Sequence, residues 1–176
     1  QESTAKRIRG MNSFISSMQR DTGRAVYISG FRTLLLMQEK IAKGNFISNV
    51  SVTFSEALFN GTFQGSQSSM LQGSTFNDWK NTITDKAKKQ NIDINISNPS
   101  LKVYQEDPWN IVLEVNFNML ANDTTGIAYW NKSEKIKSTI SIEGFEDPFY
   151  VIYTYGKLTN VINKTAYEGS YVSGTN

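Results

Sequence analysis

At Asn91 the sequence changes period. Before it, apolar residues recur at helical spacing; after it, they alternate with polar ones. Helices bring positions three and four apart onto one face, and strands bring positions two apart, so the halves fold differently. In the first half Ile8, Met11, Ile15 and Met18 mark one face, and Ala25, Ile28, Phe31 and Leu35 resume the pattern after a slip. No proline interrupts Thr4 to Lys43. The spacing predicts a helix that would reach about 60 Å if continuous. Gly10, Gly23 and Gly30 each weaken it by roughly 1 kcal/mol relative to alanine, so a break or kink is expected at Thr22–Gly23 or Ser29–Gly30. Gly44, after Lys40 and Lys43, suits the helix end.

Residues 46–63 read two ways. "FISNVSVTF" is strand-like by its β-branched content, whereas "SEALF" fits a helical turn. "GSQSSMLQGS" is a polar connector. Thr75 with Asp78 then makes a capping-box-like start to a second helix, with Phe76, Trp79, Ile83 and Ala87 on one face and Lys86, Lys88 and Lys89 at its end. Beyond Asn91 the runs "IDINIS", "LKVYQ", "NIVLEVNFNML", "IAYW", "KIKSTISI" and "FYVIYTY" alternate. Ile111, Leu113, Val115, Phe117 and Met119 share one face. Such alternation predicts an antiparallel sheet covered on one side by the helical half. The fold class is therefore α+β: residues 1–44 a long N-terminal helix, kinked if anywhere at its glycines, and residues 45–176 a body with a second helix on the sheet, its tail 169–176 frayed.

"EDPW" at Glu106 and "EDPF" at Glu146 repeat one device. Proline lacks an amide hydrogen and is tolerated at a strand's first residue. The preceding aspartate accepts a turn hydrogen bond, and the aromatic residue anchors the run. Asp107, Pro108 and Trp109, and likewise Asp147, Pro148 and Phe149, are expected to start strands, and Pro99 stands before a third such run. The alternative, a hard-cation site at Glu106, Asp107, Glu146 and Asp147, lacks the spacing of a dedicated calcium loop.

The chain has neither cysteine nor histidine. This excludes disulfides and thiolate metal sites, and removes the commonest general base. No G-x-S-x-G, S-x-x-K or phosphate loop is present. No catalytic residue, metal site or cofactor is assigned. A carbohydrate-active enzyme would need two convergent carboxylates. Residues 1–43 carry eight basic and three acidic residues, the remainder ten and thirteen. The sheet is acidic overall, which argues against nucleic acid as a partner. No apolar run approaches the roughly 20 residues of a membrane helix. The chain begins "QESTAKRIRG" and reads as a processed or truncated product, so a membrane would be reached only through a segment upstream.

Six N-x-(S/T) sequons occur, at Asn49, Asn60, Asn95, Asn122, Asn131 and Asn163. Composition alone would give about three, so the excess suggests an exported glycoprotein. Asn122 and Asn131 are expected at turns. Along "FYVIYTY", Tyr153 and Tyr155 share one strand face and Tyr150 the other; with Trp130 they are a candidate interaction surface.

The phrases "RDTGRAVYISGFRTLLLM", "ALFNGT", "NDW", "EDPWNIVLEV" and "SIEGFEDPFYVIYTYG" resemble a group of uncharacterised archaeal cell-envelope proteins. The resemblance covers about Met18 to Gly156. It implies a type IV pilin-like layout, in which a hydrophobic segment precedes a long helix and an exported β-rich domain. The motifs of the resemblance do not bear on catalysis; the expected role is that of a membrane-anchored, extracellular, non-enzymatic domain in adhesion or surface assembly, with protein partners or self-assembly through the N-terminal helix. An extracellular ligand-binding sensor is the first alternative and a carbohydrate-active enzyme the second.

Overall fold

The computed structural model describes residues 2–157 and 161–163. It is an α+β fold. Helix α1 (Glu2–Ala42) and α2 (Val50–Asn60) are followed by a small hairpin, β1 (Thr62–Phe63) and β2 (Ser66–Gln67). A 3₁₀ turn at Ser69–Leu71 leads to α3 (Phe76–Lys89). Three long strands, β3 (Ile92–Tyr104), β4 (Asn110–Asp123) and β5 (Tyr129–Ser141), form an antiparallel sheet in that spatial order, and α4 (Pro148–Tyr153) follows. The helices cover one face of the sheet: α1 lies along β5 and β4, while α2 and α3 pack on β3.

Helix α1 runs unbroken for 41 residues, with no break at Gly23 or Gly30. The slip in its apolar pattern is only apparent. The buried stripe is Met11, Ile15, Met18, Thr22, Val26, Ser29, Thr33, Met37 and Ile41, at helical spacing throughout. Three members are polar. Thr22 Oγ1 donates to the Met18 carbonyl and Thr33 Oγ1 to that of Ser29, each at 2.7 Å, so both threonine hydroxyls are satisfied inside the helix. Ile8 and Ile28, expected inside, are exposed. The glycines serve packing instead. A Cβ on Gly30 would lie 2.2 Å from Leu113 Cδ1 and 2.5 Å from Ile140 Cδ1, and the Gly23 carbonyl accepts the Ser138 hydroxyl of β5. Gly44 ends the helix with φ +78°, a backbone that glycine adopts freely.

The ambiguous stretch resolves to helix α2. Asn49 caps it, accepting from the Val52 amide at 3.0 Å. Helix α3 has the expected capping box between Thr75 and Asp78, and its buried face is Phe76, Trp79, Ile83 and Ala87. Phe76, Trp79 and Phe117 meet with ring centroids 4.9–5.7 Å apart.

In the sheet, the β4 residues Ile111, Leu113, Val115, Phe117 and Met119 all face the helices and are buried. Five of the six alternating runs become three strands. "IDINIS" and "LKVYQ" are one strand, β3, whose register against β4 shifts between Ser97 and Ser100. The extra residue keeps Leu101 and Val103 on the helix side, level with Val115 and Leu113. Pro99 therefore sits in a bulge rather than at a strand start, beside Asn98 at φ +52°. "IAYW" and "KIKSTISI" contribute to one strand, β5, paired with β4 without a shift from Tyr129 to Ser141. "FYVIYTY" is not a strand: α4 occupies Pro148–Tyr153.

The glycines give a paired test in urea denaturation. Gly30→Ala forces a methyl against two buried side chains, and overpacking of this kind costs about 1–3 kcal/mol. It is expected to lower stability despite its better helix propensity. Gly10→Ala, with nothing within 4 Å of the new methyl, is expected to raise stability by up to roughly 1 kcal/mol. Equal effects would show that α1 does not press on the sheet at Gly30.

Candidate functional site

The two "EDP" segments share a local bond and then diverge. Asp107 Oδ1 accepts from the Trp109 amide at 2.8 Å, and both its oxygens accept from Asn110 Nδ2, so the turn delivers the chain into β4. Here Asp107, Pro108 and Trp109 start a strand as expected. Asp147 Oδ1 accepts from the Phe149 amide at 2.9 Å and the Tyr150 amide at 3.4 Å, which makes it the N-cap of α4. Pro148 is the first residue of that helix, where its missing amide hydrogen costs nothing. Asp147, Pro148 and Phe149 therefore start a helix, because an Asx turn followed by proline fits either continuation.

The four carboxylates do not converge. Glu106 pairs with Lys137 at 3.1 Å on the open face of the sheet. Glu146 lies against α1, where its backbone exchanges hydrogen bonds with the Gln38 side chain at 2.8 and 2.9 Å. Among the described residues no group of three or more acidic side chains is placed to hold a metal ion. A cleft of about 260 Å³ between α1 and α3 is lined by two carboxylates, Asp21 and Asp78. Each has a structural partner: Asp21 pairs with Lys86 at 2.8 Å, and Asp78 closes the α3 capping box.

The expected tyrosine face is redistributed. Tyr150 and Tyr153 lie one turn apart on α4, and Tyr155 follows it at φ +52°. Tyr153 and Tyr155 are the most exposed, at 82% and 76%. Trp130 is remote from them in the fold, on the helix side of β5. Its Nε1 donates to Glu134 Oε1 at 3.1 Å, and Lys132 Nζ lies 4.6 Å from its ring.

The sequons divide by element. Asn49 caps α2 and Asn60 is its last residue; both are exposed. Asn122 and Asn131 lie within strands rather than at turns, because the alternation continues through them. Asn95 and Asn131 are the register partners of Leu120 on either side, and Asn122 follows two residues along β4. These three asparagines share the sheet face away from the helices. Asn163 is exposed after a short bridge between Ile162 and Glu143.

One feature escaped the sequence. Between Ile92 and Ser141 the chain holds six carboxylates and four lysines. Three of those carboxylates, Glu114, Asp123 and Glu134, are buried. Glu134 accepts from Gln19 at 2.9 Å as well as from Trp130, and Asp123 accepts from Arg7 at 3.4 Å. Lys132, Lys135 and Lys137, all on β5, are exposed, so the charge displayed along this strand is positive. Lys137 is held above the ordinary lysine value, first by Tyr104, whose ring lies 5.6 Å from Nζ, and then by Glu106. Beside β5, Arg20 and Arg24 of α1 line an open groove of about 470 Å³ with Tyr27, Ile28, Ser138 and Thr139. The alternation "KIK" was the signal available in the sequence, but it cannot say that its neighbouring acids turn inward.

Comparison of the chain with protein-family models, characterised proteins and solved structures returned no match.

The turn aspartates separate structure from ion binding. Asp147→Ala removes an N-cap and is expected to cost about 1 kcal/mol, read as a lower denaturation midpoint. Calcium is expected to leave the wild-type midpoint unchanged. A rise with calcium that Asp107→Ala or Asp147→Ala abolishes would restore the cation site.

Proposed function

We propose that the chain is a non-enzymatic, extracytoplasmic cell-envelope domain of pilin-like layout, acting in adhesion or surface assembly through protein partners. The observation that carries this reading is the display of the sequons. Five of the six asparagines are exposed, and Asn122 is half-buried beside two of them. Among the described residues the face around Leu120 points away from the helices, so glycans on Asn95 or Asn131 need no rearrangement of the core between sheet and helices. Helix α1 adds a second line of support. Its first turns, residues 3–10, are exposed apart from Arg7, and its outer side carries Ile8, Tyr27 and Ile28 in the open. Isolated apolar side chains are ordinary, but on a long helix they provide contact points for a partner.

The cleft between α1 and α3 supports a second reading, a ligand-binding sensor. Ala25, Ile28, Trp79 and Ile83 line it together with Arg24, Asp21 and Lys86, charges of both signs. That combination suits a small zwitterion.

Fractionation of native cells with intact-mass measurement tests the first reading. The chain is expected in the envelope fraction with added hexose-scale mass, and Asn131→Gln is expected to remove one increment without changing stability. Unmodified chain in the cytoplasm would overturn it.

A further inference from the structure

The sheet has two edges, and they are protected unequally. The β3 edge is interrupted at its middle: the register shifts between Ser97 and Ser100, and Pro99 has no amide hydrogen to offer. Bulges and prolines are the usual means of closing an edge to further strands. The β5 edge has neither. Its 13 residues contain no proline or glycine and pair with β4 in unbroken register from Tyr129 to Ser141. Among the described residues no strand pairs with its outer side. A regular strand of this kind presents alternate backbone N–H and C=O groups as a template for one more strand.

Among the described residues, what guards β5 is charge. Lys132, Lys135 and Lys137 lie along it. Arg20 and Arg24, one turn apart on α1, form the wall of the adjoining groove, and among the described residues neither has a carboxylate partner. The two edge lysines that are paired remain open to solvent, with side chains 64% and 50% exposed. Tyr27 and Ile28 add an apolar strip to the same groove.

These features select the occupant. Two β5 edges from separate copies would bring two rows of three lysines together, and like charges on adjoining strands are destabilising. An extended segment with acidic residues on alternate positions meets no such penalty. It finds Lys135 and Lys137 on the open face of the sheet, Arg20 and Arg24 with Tyr27 and Ile28 on the helix side, and along its length backbone groups that no described strand pairs. We propose that β5, with the groove formed by Arg20, Arg24, Tyr27 and Ile28, is a strand-addition site for an acidic, extended segment of a partner protein. The proposal rests on the assembly reading for the existence of that partner. Its geometry is independent, because localisation reports where the chain acts, whereas peptide binding reports only on the edge.

The test uses the full chain, isotope-labelled, and a synthetic peptide of about ten residues alternating glutamate with valine or threonine, the length of one strand-addition ligand. Binding is expected to perturb the backbone amides of residues 132–141 and slow their exchange. It is expected to weaken with salt. Arg20→Glu combined with Arg24→Glu, both surface positions, is expected to reduce affinity on the order of tenfold while leaving the denaturation midpoint near wild type. Lys135→Glu with Lys137→Glu is expected to reverse preference toward the lysine version of the peptide. Three results would overturn the proposal: no amide response at millimolar peptide, a response confined to α1, or equal binding of the glutamate and lysine peptides.

Discussion

The fold depends on how closely α1 approaches the sheet. At Gly30 the Leu113 and Ile140 side chains occupy the space where any other residue would carry its Cβ. This contact fixes the rotation of the helix about its axis. Once Gly30, Val26 and Leu34 face inward, Arg20, Arg24, Tyr27 and Ile28 must lie on the flank beside β5. The length of the helix has a consequence of the same kind. Forty-one residues span roughly 60 Å, whereas strands of 13 or 14 residues span about 45 Å. The helix must overhang the sheet, and the exposed residues 3–10 show where. A layer of three strands is thus enough to bury one stripe of a helix longer than itself.

Where one residue's chemistry decided the outcome, the sequence was readable. The capping pair Thr75 and Asp78, the buried face of α3 and the alternation of β4 all appear as expected. These features are local, or they repeat with a period that no other element shares. The failures have a common physical cause: a residue type compatible with two environments. Thr22, Ser29 and Thr33 break an apolar pattern on paper, yet a helix accepts threonine hydroxyls in its interior because they bond to the preceding turn. The "EDP" segment satisfies a strand start and a helix cap equally well, and the residues after it choose between them. Pro99 marked an irregularity correctly, but the irregularity was a bulge inside one strand. The tyrosine face failed with it, since α4 redistributes residues that a strand would have placed two by two. The expected fray at 169–176 lies outside the described residues.

Charge was the least legible property. Counting residues gives an acidic sheet, and that count argues against anionic partners. Burial changes its meaning. A carboxylate that accepts two hydrogen bonds within the fold, as Glu134 does from Gln19 and Trp130, adds little to the surface field, while lysines keep their ammonium groups in water because burying them unpaired is costly. The same composition therefore presents opposite signs inside and outside. This asymmetry is useful to a protein with a long edge that no described strand pairs. Closing β5 with a proline or a bulge, as β3 is closed, would exclude every partner alike. Closing it with lysines excludes copies of itself and basic segments, yet leaves the backbone template intact for a strand of the opposite charge. A bulge is a permanent obstruction, whereas a row of cations is an obstruction only to part of sequence space. The contrast between two edges of one small sheet, built by the same chain, is what gives β5 its specificity.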